Sequence, residues 1–86
     1  MYVILTYDIG VKRNRKALRI CRKYLRPVQK SVFEGDITER KLEKLKNEIK
    51  RVINPENDQV AIYRLQSVHY SDKEIIGYHI PQDNVL

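Results

Sequence analysis

The sequence contains a single cysteine, Cys21, and no long apolar stretch. One thiol cannot form a disulfide within the chain or provide a cysteine-based zinc site, and this scarcity fits a reducing compartment. No segment approaches the roughly 20 apolar residues of a membrane-spanning helix. The amino-terminal MYVILTYD lacks the basic region of a signal peptide, and Asp8 interrupts its apolar run. We therefore expect a soluble cytoplasmic protein that does not interact with a membrane.

Glycine and proline are scarce, with three of each among 86 residues, while 42% of the residues are hydrophobic. This composition favours a folded chain over a disordered one. The length fits one domain with a thin core, which dimerisation could stabilise further. Glycine-rich phosphate-binding motifs, HExxH and Cys/His metal spacings are also absent. Because His69 and His79 are far apart in the sequence, we interpret them as surface or strand residues rather than catalytic ones.

Acidic residues are missing from residues 11–30. This segment carries nine basic residues, whereas the rest of the chain carries eight bases and eleven acids. The nine are Lys12, Arg13, Arg15, Lys16, Arg19, Arg22, Lys23, Arg26 and Lys30. Such a concentrated positive field favours a polyanionic partner, with nucleic acid first. The alternative is a solvated helix face that keeps the protein soluble, although such faces usually mix both signs.

Hydrophobic periodicity predicts four strands and two helices. The strands are predicted over residues 2–8, 28–35, 59–65 and 74–80, and the helices over residues 12–26 and 39–53. We interpret the order as β-α-β-β-α-β. With right-handed crossovers, this order gives an α+β ferredoxin-like fold, an antiparallel sheet with both helices on one face. The predicted domain covers residues 1–80, and residues 81–86 form a short tail.

The predicted sheet has its first and third strands at the centre, and the two helices cover only one of its faces. The other face needs a partner, because Tyr2, Ile4, Val60 and Ile62 or their neighbours would be exposed there. A homodimer formed through the sheet is the simplest solution.

The first predicted helix is amphipathic. Its apolar side contains Ala17, Ile20 and Cys21, and its opposite side carries a row of arginines at helical spacing. The row consists of Arg15, Arg19, Arg22 and Arg26. We expect Arg15, Arg19 and Arg22 to contact phosphates without reading sequence.

Three motifs together resemble the CRISPR-associated protein 2 family, the small metal-dependent nuclease subunit of the spacer-acquisition machinery. They are the strand YVILTYDI, the RNR that opens the basic helix, and RPVQKSVFEG followed by a Thr-led helix and IYRL. The resemblance runs from residue 1 to about residue 80. It implies a ferredoxin-like homodimer in which the aspartate that ends the first strand, here Asp8, faces its symmetry mate across the dimer axis.

The resemblance also implies roles for individual residues. Asp8 would be the catalytic residue and the ligand of Mg²⁺ or Mn²⁺. The implied nucleic-acid-binding residues are Tyr7, Arg13, Arg15, Arg26 and Phe33, to which the basic helix adds Arg19 and Arg22. The loop after Asp8 reads Gly10, Val11 and Lys12, so it adds no metal ligand.

The residues themselves leave structural alternatives open. Asp8 could cap the turn into the first helix, and Tyr7 could be an ordinary packing residue of the strand. Phe33 could belong to the core or to an interface. Arg26 could satisfy carbonyl groups at the carboxyl end of the helix.

Three functions are consistent with these patterns. The leading hypothesis is a CRISPR adaptation protein with Mg²⁺-dependent endonuclease activity on RNA or DNA. The second is a non-catalytic dimeric scaffold that binds duplex DNA and docks the CRISPR integrase subunits. The third is a toxin-like ribonuclease outside CRISPR.

Overall fold

The computed structural model describes residues 1–65, which form a four-stranded antiparallel sheet and two helices. The elements are β1 (Tyr2–Asp8), α1 (Val11–Tyr24), β2 (Arg26–Gln29), β3 (Val32–Asp36), α2 (Glu39–Val52) and β4 (Gln59–Leu65). The strand order across the sheet is β2-β3-β1-β4. The predicted ferredoxin-like α+β fold is confirmed. The predicted strand over residues 74–80, the tail at 81–86 and the two histidines lie outside the described residues.

The prediction of a single strand over residues 28–35 is wrong, because this segment belongs to a hairpin of β2 and β3. Gln29 lies opposite Val32, so that Lys30 and Ser31 form a two-residue turn. Ser31 adopts a φ of 66°, a left-handed conformation that is uncommon outside glycine. Because the turn residues are Lys30 and Ser31, the Asn-Gly or Asp-Gly pair that usually marks such hairpins is missing. The alternation of apolar and polar residues also continues through the turn, so that the sequence shows no break between β2 and β3.

The end of the first helix also differs from the prediction. Helix α1 ends at Tyr24, whereas Arg26 and Pro27 already belong to β2. Because β2 is at the edge of the sheet that residues 1–65 form, the missing N–H of Pro27 is tolerated there. The hairpin places β1 and β3 at the centre of the described sheet, while β4 pairs only with β1.

Strand alternation determines which side chains face the helices. Val3, Leu5 and Tyr7 of β1 are buried in the core formed with both helices. Val60 lies opposite Tyr7, and Ile62 lies opposite Leu5, so both β4 residues point to this same side and pack against the core. The prediction that Val60 and Ile62 lie on the face away from the helices is therefore wrong.

The helices supply the second layer of the core. Helix α2 begins at an N-cap, Thr38, whose hydroxyl accepts a hydrogen bond of 3.2 Å from the backbone N–H of Lys41. It buries three apolar residues at helical spacing, namely Leu42, Leu45 and Ile49. Helix α1 contributes Ala17 and Cys21, and burial raises the pKa of the Cys21 thiol to about 12. The thiol is therefore protonated at neutral pH and serves as a packing group. Within residues 1–65, neither helix has the length and apolar character needed to cross a lipid bilayer.

Candidate nucleic-acid and metal site

Asp8 is the last residue of β1, and its side chain is exposed. Alternation along the strand directs it away from the helices, because its neighbour Tyr7 points into the core. The Asp8 carboxylate makes no hydrogen bond or ion pair with any of residues 1–65. The N-cap of α1 is Gly10, and no side chain caps it. The alternative that Asp8 caps this helix is therefore wrong.

Residues 1–65 of one chain offer few metal ligands at this position. In the part of the chain that the structure describes, no group of three or more His, Cys, Asp or Glu side chains could hold an ion. Asp8 lies opposite Gln59 on β4, and the neighbouring pair on the same sheet face is Thr6 and Ala61. Within residues 1–65, the Asp8 carboxylate is thus exposed and unpaired at the end of a central strand.

Tyr7 and Phe33 lie in the core. Phe33 is fully buried on β3, and its ring stacks on that of Tyr7 with centroids 6.2 Å apart and an interplanar angle of 23°. The Tyr7 hydroxyl donates a long hydrogen bond of 3.4 Å to Oδ1 of Asn14 on α1. Burial raises the pKa of Tyr7. In this structure both aromatic side chains join the end of β1 to β3, and their predicted role in nucleic-acid binding stays a prediction.

The outer side of α1 carries the exposed basic residues. They are Lys12, Arg15, Lys16, Arg19, Arg22 and Lys23. Arg15, Arg19 and Arg22 form no ion pair within residues 1–65. Lys23 is different, because it donates to Glu48 of α2, which also accepts from the Tyr24 hydroxyl. We call Arg15, Arg19 and Arg22 the outer arginines.

The outer arginines and Asp8 belong to different elements, the helix α1 and the end of the strand β1. Asp8 is on the sheet face away from the helices, whereas Arg15 and Arg19 lie on the side of α1 opposite the buried Ala17 and Cys21. Arg22 lies between these two sides, at a cavity that Tyr7 and Phe33 also line. A single protomer therefore does not bring Arg15 and Arg19 onto the sheet face that carries Asp8.

Arg13 has a separate position, close to the core. Its guanidinium makes a two-pronged contact with the carboxylate of Asp58, with Nε 2.6 Å from Oδ2 and Nη2 2.9 Å from Oδ1. The Asp58 side chain is only 1% exposed. The hydrogen bond from Arg13 and those from the backbone N–H groups of Asn54 and Gly10 hold the pKa of this carboxyl well below its usual range.

Asp58 is a buried charged residue that sequence reasoning missed. The stretch NPEND, residues 54–58, has the composition of a plain turn. The available signal was on α1, where Arg13 precedes Ala17 by four residues and Ile20 by seven, and so lies on the buried stripe. A charge at such a position requires a partner of opposite sign.

Arg26 begins β2 and belongs to a different cluster. Its Nη2 donates to Oε2 of Glu34 at 3.2 Å and to the Tyr2 hydroxyl at 3.3 Å. The suggestion that Arg26 satisfies carbonyls at the end of the helix is wrong, since it is part of the sheet. Glu34 of β3 lies opposite Arg26 on one side and opposite Ile4 of β1 on the other. Ile4 precedes Asp8 by four residues, so Arg26 lies about 13 Å from Asp8 along the strand direction.

Comparison with known proteins decides the family. The model of the family described as CRISPR associated protein Cas2 matches residues 1–73. The chain belongs to the Cas2 family. A Cas2-family relative from Dictyoglomus turgidum, named CRISPR-associated endoribonuclease Cas2, is 48% identical over 90% of this chain and 88% of its own length. A relative of the same name from Thermotoga maritima is 42% identical over 100% of this chain and 99% of its own.

Solved Cas2 structures share the fold. A crystal structure of Cas2 has a TM-score of 0.83 and 35% identity, covering 91% of this chain and 87% of that chain. The crystal structure of Streptococcus pyogenes Cas2 at pH 6.5 has a TM-score of 0.79 and 29% identity, covering 90% of this chain and all of that one. The ferredoxin-like architecture of this chain is therefore that of Cas2 proteins.

Proposed function

We propose that this Cas2-family chain is a metal-dependent endonuclease of CRISPR adaptation that cuts RNA or DNA phosphodiester bonds as a cytoplasmic homodimer. The relatives from D. turgidum and T. maritima are named endoribonucleases. The observation that carries the proposal is Asp8, an exposed carboxylate without a partner in residues 1–65, at the end of a central strand.

The homodimer supplies the second carboxylate in this proposal. A divalent ion needs concentrated negative charge, and a twofold axis beside Asp8 would bring two copies of the residue together. Two nearby carboxylates repel each other unless a cation lies between them. Their hard oxygen atoms suit Mg²⁺ or Mn²⁺, with water completing the shell. Such an ion, when bound, polarises a phosphoryl oxygen and lowers the pKa of a bound water.

The outer arginines have a separate function in this proposal. They contact phosphates without reading sequence, as their exposure and lack of ion pairs within residues 1–65 support. Because they lie on α1 rather than at the end of β1, substrate binding and bond cleavage are separable by mutation.

The same separation favours a second candidate function. A dimeric scaffold that binds duplex DNA and docks the CRISPR integrase subunits would use the outer arginines and would not need Asp8. Membership of the Cas2 family weighs against the third hypothesis, a toxin-like ribonuclease outside CRISPR.

A cleavage assay separates the two remaining functions. Purified protein is incubated with labelled single-stranded RNA and duplex DNA across a Mg²⁺ and Mn²⁺ titration, with and without chelator. We expect Asp8→Asn to remove metal-dependent cleavage while keeping the fold. The matched control is Asp36→Asn, because Asp36 is also an exposed aspartate at the end of a central strand. Cleavage by Asp8→Asn at the wild-type rate would leave the scaffold function.

A further inference from the structure

Within residues 1–65, the position of the Asp8 carboxylate is set by the backbone, since its side chain has no hydrogen-bonding partner there. Three features fix that backbone. Asp8 lies opposite Gln59 in the ladder with β4, and the next residue, Ile9, is buried in the core. The residue after that, Gly10, donates its N–H to Oδ1 of Asp58 at 3.0 Å. Two of these three contacts involve Asp58 or the residue that follows it.

Both carboxylate oxygens of Asp58 accept hydrogen bonds from several donors. Its Oδ1 accepts from the Gly10 N–H and from Nη2 of Arg13, and its Oδ2 accepts from Nε of Arg13 and from the Asn54 N–H at 2.8 Å. Each carboxylate oxygen thus has two donors. These donors belong to the loop before α1, to α1 itself and to the turn before β4.

We propose that Asp58 is a positioning residue for Asp8, holding the loop that follows the strand so that the Asp8 carboxylate is presented in one orientation. This inference rests on the proposed function. Asp58 is the residue immediately before β4, and Gly10 is two residues after Asp8, so the contact between them closes the end of the β1–β4 ladder. Catalytic and metal-binding groups depend on such supporting contacts, because small misplacements cost large factors in rate or affinity.

Gly10 provides a graded way to disturb this arrangement. Its φ of −56° is accessible to any residue, so that alanine fits the backbone. A Cβ added there would lie 2.6 Å from Nη2 of Arg13 and 3.6 Å from Oδ1 of Asp58. The Gly10→Ala change therefore pushes the guanidinium away from Asp58 without removing either charged group.

The test compares Asp58→Asn and Gly10→Ala with the control Glu48→Gln. The control weakens the contacts that Lys23 and Tyr24 make with Glu48 at the other end of α1. Mn²⁺ binding to the full chain is measured by electron paramagnetic resonance, and kcat and KM are measured in the cleavage assay. We expect Asp58→Asn to weaken Mn²⁺ binding and to lower kcat by about tenfold or more. KM for nucleic acid should change less than about twofold, because the outer arginines are untouched.

Other outcomes have distinct meanings. Wild-type Mn²⁺ affinity and kcat in a folded Asp58→Asn protein, or equal losses in Glu48→Gln, would overturn the inference and leave Asp58 a purely stabilising residue. If Asp58→Asn does not fold by circular dichroism, the same readouts on Gly10→Ala decide. If the wild type binds no Mn²⁺, or Asp8→Asn binds it as the wild type does, the proposed function fails and the inference falls with it.

Discussion

The two sides of α1 use the same residue type in different ways. Arg13 lies on the side that faces the core, and its guanidinium holds the buried carboxylate of Asp58. The outer arginines point to solvent and have no ion pair within residues 1–65. Only the angle around the helix distinguishes the two groups. Net charge alone is therefore a poor guide to which arginines can bind a polyanion.

The largest effect that this comparison predicts is on nucleic-acid affinity. Replacing Arg15, Arg19 and Arg22 together with alanine should weaken binding by at least about tenfold and reduce the salt slope by about three units, because one phosphate contact is lost per residue. Fluorescence anisotropy across a salt series measures both quantities.

The matched control for that variant removes three charges from α2. Arg40, Lys44 and Arg51 are exposed residues on a helix that also carries glutamates. Replacing these three with alanine should change the slope by less than one unit. An unchanged slope in the triple variant of α1, or equal changes in both, would show that the outer arginines are not a binding surface.

The next largest effect is on thermal stability, and it belongs to the core-facing side. Asp58→Ala should lower the melting temperature by about 10 °C or more, because it leaves the N–H groups of Gly10 and Asn54 without an acceptor and the charge of Arg13 without a partner. Arg15→Ala should change the melting temperature by less than about 4 °C. Differential scanning calorimetry compares the two. Similar melting temperatures for both variants would remove the distinction between the two sides.

The smallest effect is on the acid dependence of stability. Arg13 and the N–H groups of Asn54 and Gly10 hold the folded pKa of Asp58 below its unfolded value of about 4. The stabilisation by this carboxylate is therefore complete above about pH 4 and is lost as the pH falls toward the folded pKa. The melting temperature of the wild type should fall more steeply between pH 5 and pH 3 than that of Asp58→Asn. Parallel curves for these two proteins would contradict the assignment.

Much of the fold was predictable from the sequence, because periodicity is a strong signal in long elements. The apolar run of β1 and the stripes of α1 and α2 predict their structure within two residues at each end. The β2–β3 hairpin was missed because its turn uses Ser31 in a conformation typical of glycine. Because the hairpin was counted as one strand, residues 59–65 became the third predicted strand and were predicted at the centre of the sheet. In the structure they form β4, which lies at the edge of the described sheet.

The candidate site was less predictable. Its motif residues could be named, yet their surroundings depend on contacts between distant segments. Arg13 and Asp58 are 45 residues apart, and the sequence around either residue does not indicate that the other is its partner. Phe33 and Tyr7 have the composition of binding residues as well as of core residues, and only the stacking between β1 and β3 shows that they pack together.

The most direct test of the central claim asks whether two copies of Asp8 act as one site. Wild-type and Asp8→Asn protomers are mixed at a fixed total concentration, exchanged through mild denaturant and assayed for Mg²⁺-dependent cleavage. If both carboxylates of a dimer are required, an equal mixture retains about one quarter of the wild-type activity, the fraction of dimers with two intact copies. About one half of the activity, rising linearly with the wild-type fraction, would show that each protomer acts alone and would contradict the shared metal site.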